Sequence, residues 1–129
     1  MSLLNFGVVG VGHLGSLHTK MLAEIDSVKL AGVFDTDTEK AKKIAAEFNT
    51  KACSTYDQLL NSVDALTIAT TTSTHHDVAK KALQQGKHVF IEKPITQTTA
   101  EADELIHLAK EKGVLIQVGH IERFNAAIL

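Results

Sequence analysis

Three glycines, Gly10, Gly12 and Gly15, stand in the stretch VVGVGHLGSLH with the G-x-G-x-x-G spacing that lets a backbone wrap a diphosphate. Gly10 permits a tight turn, Gly12 a close approach of main chain to phosphate, and Gly15 close packing of a helix on a strand. The motif has meaning only where a strand enters it and a helix leaves it, so that free helix amides face the anion. Asp35 follows 20 residues after Gly15. At the end of a second strand, a carboxylate there can accept both hydroxyls of an adenosine ribose. It also repels a 2′-phosphate, and Thr36, Asp37, Thr38 and Glu39 include no base to offset it. NAD is therefore the expected cofactor, ahead of NADP. The alternative for Asp35 is to cap the helix of DTDTEK, a role open to Thr36 or Asp37 instead.

Two other stretches carry reactive or polar groups. In TIATTTSTHHD, residues 67–77, Thr70, Thr71, Thr72, Ser73 and Thr74 follow a strand-like run and could line a ribose and diphosphate. They could equally form a polar loop in which Thr74 caps the next helix. His75, His76 and Asp77 are adjacent on that helix, so their side chains diverge, and no metal site is expected. In HVFIEKPITQ, residues 88–97, the apolar Val89, Phe90 and Ile91 run into Glu92, Lys93 and Pro94. A charged pair there is either an exit to solvent or a reactive group at a crevice.

Elements that could position these groups alternate along the chain. Short β-rich runs occupy 4–10, 28–35, 64–70, 88–92 and 114–119, nearly continuous in apolar residues, as strands covered on both faces are. Ala41, Ile44, Ala45 and Phe48 have helical spacing, as do Ala102, Leu105, Ile106 and Ala109. Leu14, Leu17, Met21, Leu22 and Ile25 suggest a similar stripe for the helix after the glycines. Thr36 with Glu39, Thr55 with Gln58 and Thr98 with Glu101 have capping-box spacing, and Gly86 and Gly113 fall at helix ends. KACST, 51–55, suggests one more short strand. The pattern predicts an α/β fold, a doubly wound parallel sheet of the Rossmann type. Glu92 and Lys93 would then lie at the same carboxyl edge as the glycine loop, where ligands bind.

Composition narrows the partners. The 129 residues are 44% hydrophobic and 22% charged, the profile of one soluble globular domain. With 13 Lys+Arg against 15 Asp+Glu the net charge is −2, which offers nothing to a nucleic acid. Lys42-Lys43 and Lys80-Lys81 read as solvated helix faces. Cys53 is alone and reads as a small buried apolar residue, so a reducing compartment fits. No apolar run approaches ~18 residues, so no membrane span is expected. No basic residue precedes the apolar opening, which is also too rich in glycine for a signal peptide. A cytoplasmic protein is expected. The apolar ending, HIERFNAAIL, suggests a chain cut at a domain boundary.

Taken together, the glycine motif, Asp35, EKP and GHIERFN identify a likeness over nearly the whole chain. It resembles the N-terminal domain of the Gfo/Idh/MocA oxidoreductases. The resemblance implies a phosphate loop of Gly10, Gly12 and Gly15 with His13 and Leu14 between them, and Asp35 as the ribose acid. It implies that Thr70 to His75, Thr72 among them, match a cofactor loop of the family. Thr71 stands there where proline is usual. Glu92 and Lys93 match the motif whose lysine lies between nicotinamide and substrate hydroxyl, which makes Lys93 the catalytic residue. GHIERFN is most similar to members acting on nucleotide-linked amino sugars. Members also carry a second α/β domain with a catalytic histidine, absent from these residues, and the intact protein is expected to be a homo-oligomer through it. The expectation is an NAD-dependent dehydrogenase of a sugar or sugar-nucleotide alcohol, with residues 1–129 as its cofactor domain. The rival is a free-standing NAD(H)-sensing module that does no chemistry.

Overall fold

Five strands and five helices, alternating except where α3 follows α2, make up a computed structural model that describes residues 4–92 and 95–119. In chain order they are β1 (Leu4–Val9), α1 (His13–Glu24), β2 (Val28–Phe34), α2 (Thr38–Glu47) and α3 (Tyr56–Ser62). There follow β3 (Ala65–Ile68), α4 (Thr72–Gln84), β4 (His88–Glu92), α5 (Thr99–Lys112) and β5 (Ile116–Gly119). All strand pairings are parallel and the order across the sheet is β2-β1-β3-β4-β5. This is the doubly wound sheet that the alternating periodicity predicts.

Both faces are covered, which is why the strands are apolar on both sides. Val8, Val33 and Phe90 pack with Leu22 of α1 and with Ala41 and Ala45 of α2 on one face. On the other, Leu66, Ile68 and Ile91 pack with Leu59 of α3, Ala79 and Leu83 of α4 and Leu105 of α5. Lone Cys53 is buried in this second core, as its small apolar character suggests.

Four local expectations change. The stretch KACST contributes only an isolated parallel bridge, Ala52 to Val33. Val33 N donates to the Lys51 carbonyl and Cys53 N to the Val33 carbonyl, and by Thr55 the chain is already capping α3. At α2 the cap is Asp37, whose side chain accepts from Lys40 N, and not Thr36. Thr74 does not cap α4. Thr71 holds that position without a side-chain bond, and Thr74 Oγ1 lies one turn inside, 2.8 Å from the Thr71 carbonyl. The buried side of α1 is also only partly the leucine stripe, of which Met21, Leu22 and Ile25 pack on the core. Gly15, His18, Thr19 and Leu22 face the core, while Leu14 is 48% and Leu17 42% exposed. These four have i, i+3, i+4, i+7 spacing, so the helical period is present with a different phase. The phase follows from close approach. A Cβ at position 15 would stand 1.6 Å from the Gly10 carbonyl oxygen, so only the glycine side of α1 can meet the sheet.

The other expected punctuation is as read. Thr55 and Thr98 accept from Gln58 N and Glu101 N, and α5 ends on left-handed Gly113.

Candidate cofactor site at the carboxyl edge of the sheet

β1 delivers the chain into the glycine loop and α1 carries it away. Gly10 has φ +88°, and its N–H donates to the Phe34 carbonyl at 2.8 Å, fastening the turn to the end of β2. An L side chain there would be strained and would meet the Ala69 carbonyl. Gly12 is the opposite case: a Cβ there would meet nothing within 4 Å. The open space lies beside the N-terminus of α1, where Gly12 provides no side-chain cap and no acid occupies the first turn. The amides of His13 and Leu14, both exposed, have no intrahelical partners available to them. An anion such as a diphosphate fits this cradle.

Asp35 stands just past β2. Its Oδ2 accepts from Val11 N and its Oδ1 from Asp37 N, each at 2.8 Å. The carboxylate thus ties the phosphate loop to the first turn of α2. Each oxygen keeps a second lone pair for a ribose hydroxyl.

A cavity of about 370 Å³ joins these parts and is lined by Gly10, Gly12, Asp35, Thr36, Tyr56, Thr70, Thr71 and Thr74, among others. One wall is apolar: Phe34 and Tyr56 stack with centroids 6.1 Å apart beside Val78, a surface suited to a flat base. Tyr56 O–H donates to the Val78 carbonyl at 2.7 Å, and burial followed by the Asp57 charge raises its pKa. Lys40, the first base after Asp35 and one residue beyond Glu39, lines the same cavity.

The threonine loop divides. Thr70 lines the cavity, and its hydroxyl lies 2.7 Å from that of Thr74. Thr72 opens α4 half-buried and does not line the cavity. His75 is 2% exposed, its Nδ1 3.2 Å from the Ile95 carbonyl and its Nε2 3.1 Å from that of Thr70. It pins the loop after β3 to the segment that follows β4. His76 turns to α5, against Glu104 and Glu101. Among the described residues no group of three His, Cys, Asp or Glu could hold a metal ion.

Glu92 ends β4 at the same edge. Its Oε1 lies 2.9 Å from Nε2 of His18, whose side chain is wholly buried on α1 and packs 5.6 Å from the Phe90 ring. Nδ1 of His18 has no partner among the described residues. Burial lowers the His18 pKa, more than the Glu92 charge and hydrogen bond raise it. Sequence reading passed over His18, although its place one turn after Gly15 was a usable signal. Lys93 and Pro94 lie outside the described residues. A second cavity, of about 400 Å³, lies at the opposite ends of the strands among Leu4, Phe6, Val28, Ala65 and Phe90, too far from the loop to belong to this site.

Comparison with known proteins agrees with the fold and its cofactor class. The chain matches the Gfo/Idh/MocA family model, described as an oxidoreductase family with an NAD-binding Rossmann fold, over residues 4–120. UDP-N-acetylglucosamine 3-dehydrogenase of Acidithiobacillus ferrooxidans is 49% identical over 122 residues, 95% of this chain and 38% of that protein. A solved structure of that enzyme superposes with a TM-score of 0.89 at 48% identity, covering 95% of this chain and 40% of the other. The scyllo-inositol 2-dehydrogenase (NAD(+)) of Bacillus subtilis is 37% identical over 93% of this chain and 36% of its own length. GenD2 from gentamicin A biosynthesis, solved in complex with NAD, has a TM-score of 0.88 at 30% identity over 92% of this chain and 35% of its own. The chain thus spans well under half the length of these relatives.

Proposed function

Because the chain belongs to the Gfo/Idh/MocA oxidoreductase family, with its NAD-binding Rossmann fold, we propose that it is the cofactor-binding domain of an NAD-dependent dehydrogenase. The substrate of the whole protein is the hydroxyl-bearing carbon of a sugar or sugar nucleotide. One observation carries the reading. The glycine cradle, Asp35 and the end of β4 at Glu92 lie at a single sheet edge, the edge at which ligands bind in such sheets, and this supports a shared cofactor crevice there. The relatives that act on a UDP-linked amino sugar and on an inositol support the substrate class. Since the chain spans 38% of the first of these, the substrate pocket and any second acid–base group belong to sequence beyond the match.

The bound dinucleotide would supply the hydride acceptor for the carbinol carbon. Lys93 would hydrogen-bond the reacting hydroxyl and take part in moving its proton as the carbonyl forms. An ammonium beside a cationic ring loses its proton more readily, which brings Lys93 towards the useful range. Glu92, Thr70, Thr72 and His75 would frame the nicotinamide side, and His13 and Leu14 the diphosphate. The whole protein would work as a homo-oligomer in the cytoplasm. No described helix is long and apolar enough to cross a membrane.

The test is the full-length protein with Lys93→Met, assayed with NAD against a panel of UDP-linked amino sugars and cyclic polyols. Expected is a loss in kcat of roughly 10²–10⁴, the span of a general acid–base group, with NAD affinity largely kept. Near-normal turnover by the variant would return Lys93 to the role of a strand exit meeting water. NAD binding by a full-length protein that oxidises no member of the panel would favour the sensing module.

A further inference from the structure

His18 and Glu92 join the helix that leaves the phosphate loop to the end of the strand two places along the sheet. The position of the proton between them follows from their surroundings. Nε2 of His18 faces a carboxylate oxygen at 2.9 Å, so it carries the hydrogen and donates it. Nδ1 is buried with no partner among the described residues, so a second ring proton would find nothing to bond among them. Desolvation acts in the same sense, holding the ring below the ordinary histidine range. The ring is therefore neutral. The pair keeps one net negative charge, and no Lys or Arg among the described residues pairs with Glu92.

Topology says what that charge faces. Asp35, past β2, marks the adenosine side, and the glycine loop follows β1. With the order β2-β1-β3-β4-β5, the other half of a dinucleotide runs from the loop across β3 to β4, about 10 Å away at ordinary strand spacing. Glu92 ends β4, its side chain 12% exposed. A nicotinamide ring is cationic when oxidised and neutral when reduced, so an anion held there acts on one redox form only. We propose that the His18–Glu92 pair makes this domain prefer oxidised over reduced nicotinamide dinucleotide, with Glu92 supplying the charge and His18 positioning it. The inference rests on the dinucleotide site and not on the sugar-alcohol reading, so the two can fail separately.

The test is calorimetric titration of the chain with NAD⁺ and with NADH. Glu92→Gln, which keeps shape and removes charge, should weaken NAD⁺ at least about fivefold, the weight of one charge pair at ~15 Å or nearer with an effective dielectric constant of ~20. NADH binding should stay within about twofold, since a neutral ring feels little of this field. His18→Gln, which retains an N–H donor, should preserve the NAD⁺ preference. His18→Leu, which leaves the carboxylate unheld, should erase it. A merely structural pair would weaken both redox forms alike, and that result in any folded variant overturns the proposal, as does an unchanged ratio in Glu92→Gln.

Discussion

Asp35 serves the ligand and the fold with the same two oxygens. Each accepts a backbone N–H, from Val11 and from Asp37, and each has one lone pair left for a ribose hydroxyl. Asp35→Ala should therefore lower NAD affinity by about tenfold or more, since hydrogen bonds to a charged group are worth ~1.5–3 kcal/mol each. NADP should gain relative to NAD, because the repulsion is lifted while Lys40 in the same cavity can meet a 2′-phosphate. Titrations with both dinucleotides check this, and an unchanged NAD-to-NADP ratio would remove Asp35 from cofactor choice. His18 gives a second outcome at this scale. Its folded pKa lies below the ordinary 6.5, so the unfolded chain binds the extra proton first. The stability contributed by the neutral ring is complete above pH 6.5 and is lost as pH falls through the lower folded value. Thermal melts between pH 7.5 and 5 should show a drop in Tm that His18→Leu flattens; an equal slope in both would assign the drop to other groups. Gly10, Gly12, Gly15 and Asp35 were legible in the sequence because their spacing is local. The His18–Glu92 contact spans 74 positions and exists only once α1 lies across the sheet.

Helix α1 shows why an element can be recognised and still be misoriented. Its 3.6-residue period is real, and Met21, Leu22 and Ile25 do pack against the core. The two leucines that seemed to begin the stripe face solvent, because the phase is set by contact and not by hydropathy. Gly15 must touch the Gly10 carbonyl, and His18, Thr19 and Leu22 follow from it. A polar buried face has no hydropathy signature, whereas the caps Thr55 and Thr98 were readable from residue type and spacing alone. Gly15→Ala tests the contact. Its methyl would have to displace backbone, so α1 should move and stability should fall by about 1–3 kcal/mol or more. NAD affinity should fall with it, since the same movement opens the phosphate cradle and shifts His18 from Glu92. A variant melting and binding like the parent would mean that α1 does not need this approach.

At the scale of the whole molecule, sheet topology followed from the alternation of periods, but the roles of the two ends of the chain did not. β1, the first strand in sequence, lies inside the sheet, paired with both β2 and β3, and its Asn5 N also donates to Asp64. β5, the last described, is an edge whose residues are half-buried apart from Gly119. Shortening the chain is therefore not symmetrical. Loss of residues 1–9 would cut the sheet in two and leave the glycine loop with no strand entering it. Loss of β5 would remove an edge strand and, among the described residues, expose one side of β4. The first chain should show no cooperative melt by circular dichroism, and the second should keep one at lower temperature; a cooperative melt without β1 would refute this. For anyone transplanting this cofactor site onto another protein, the junction belongs after β5 and not before β1, because β1 is walled in on both sides while β5 borders a single strand.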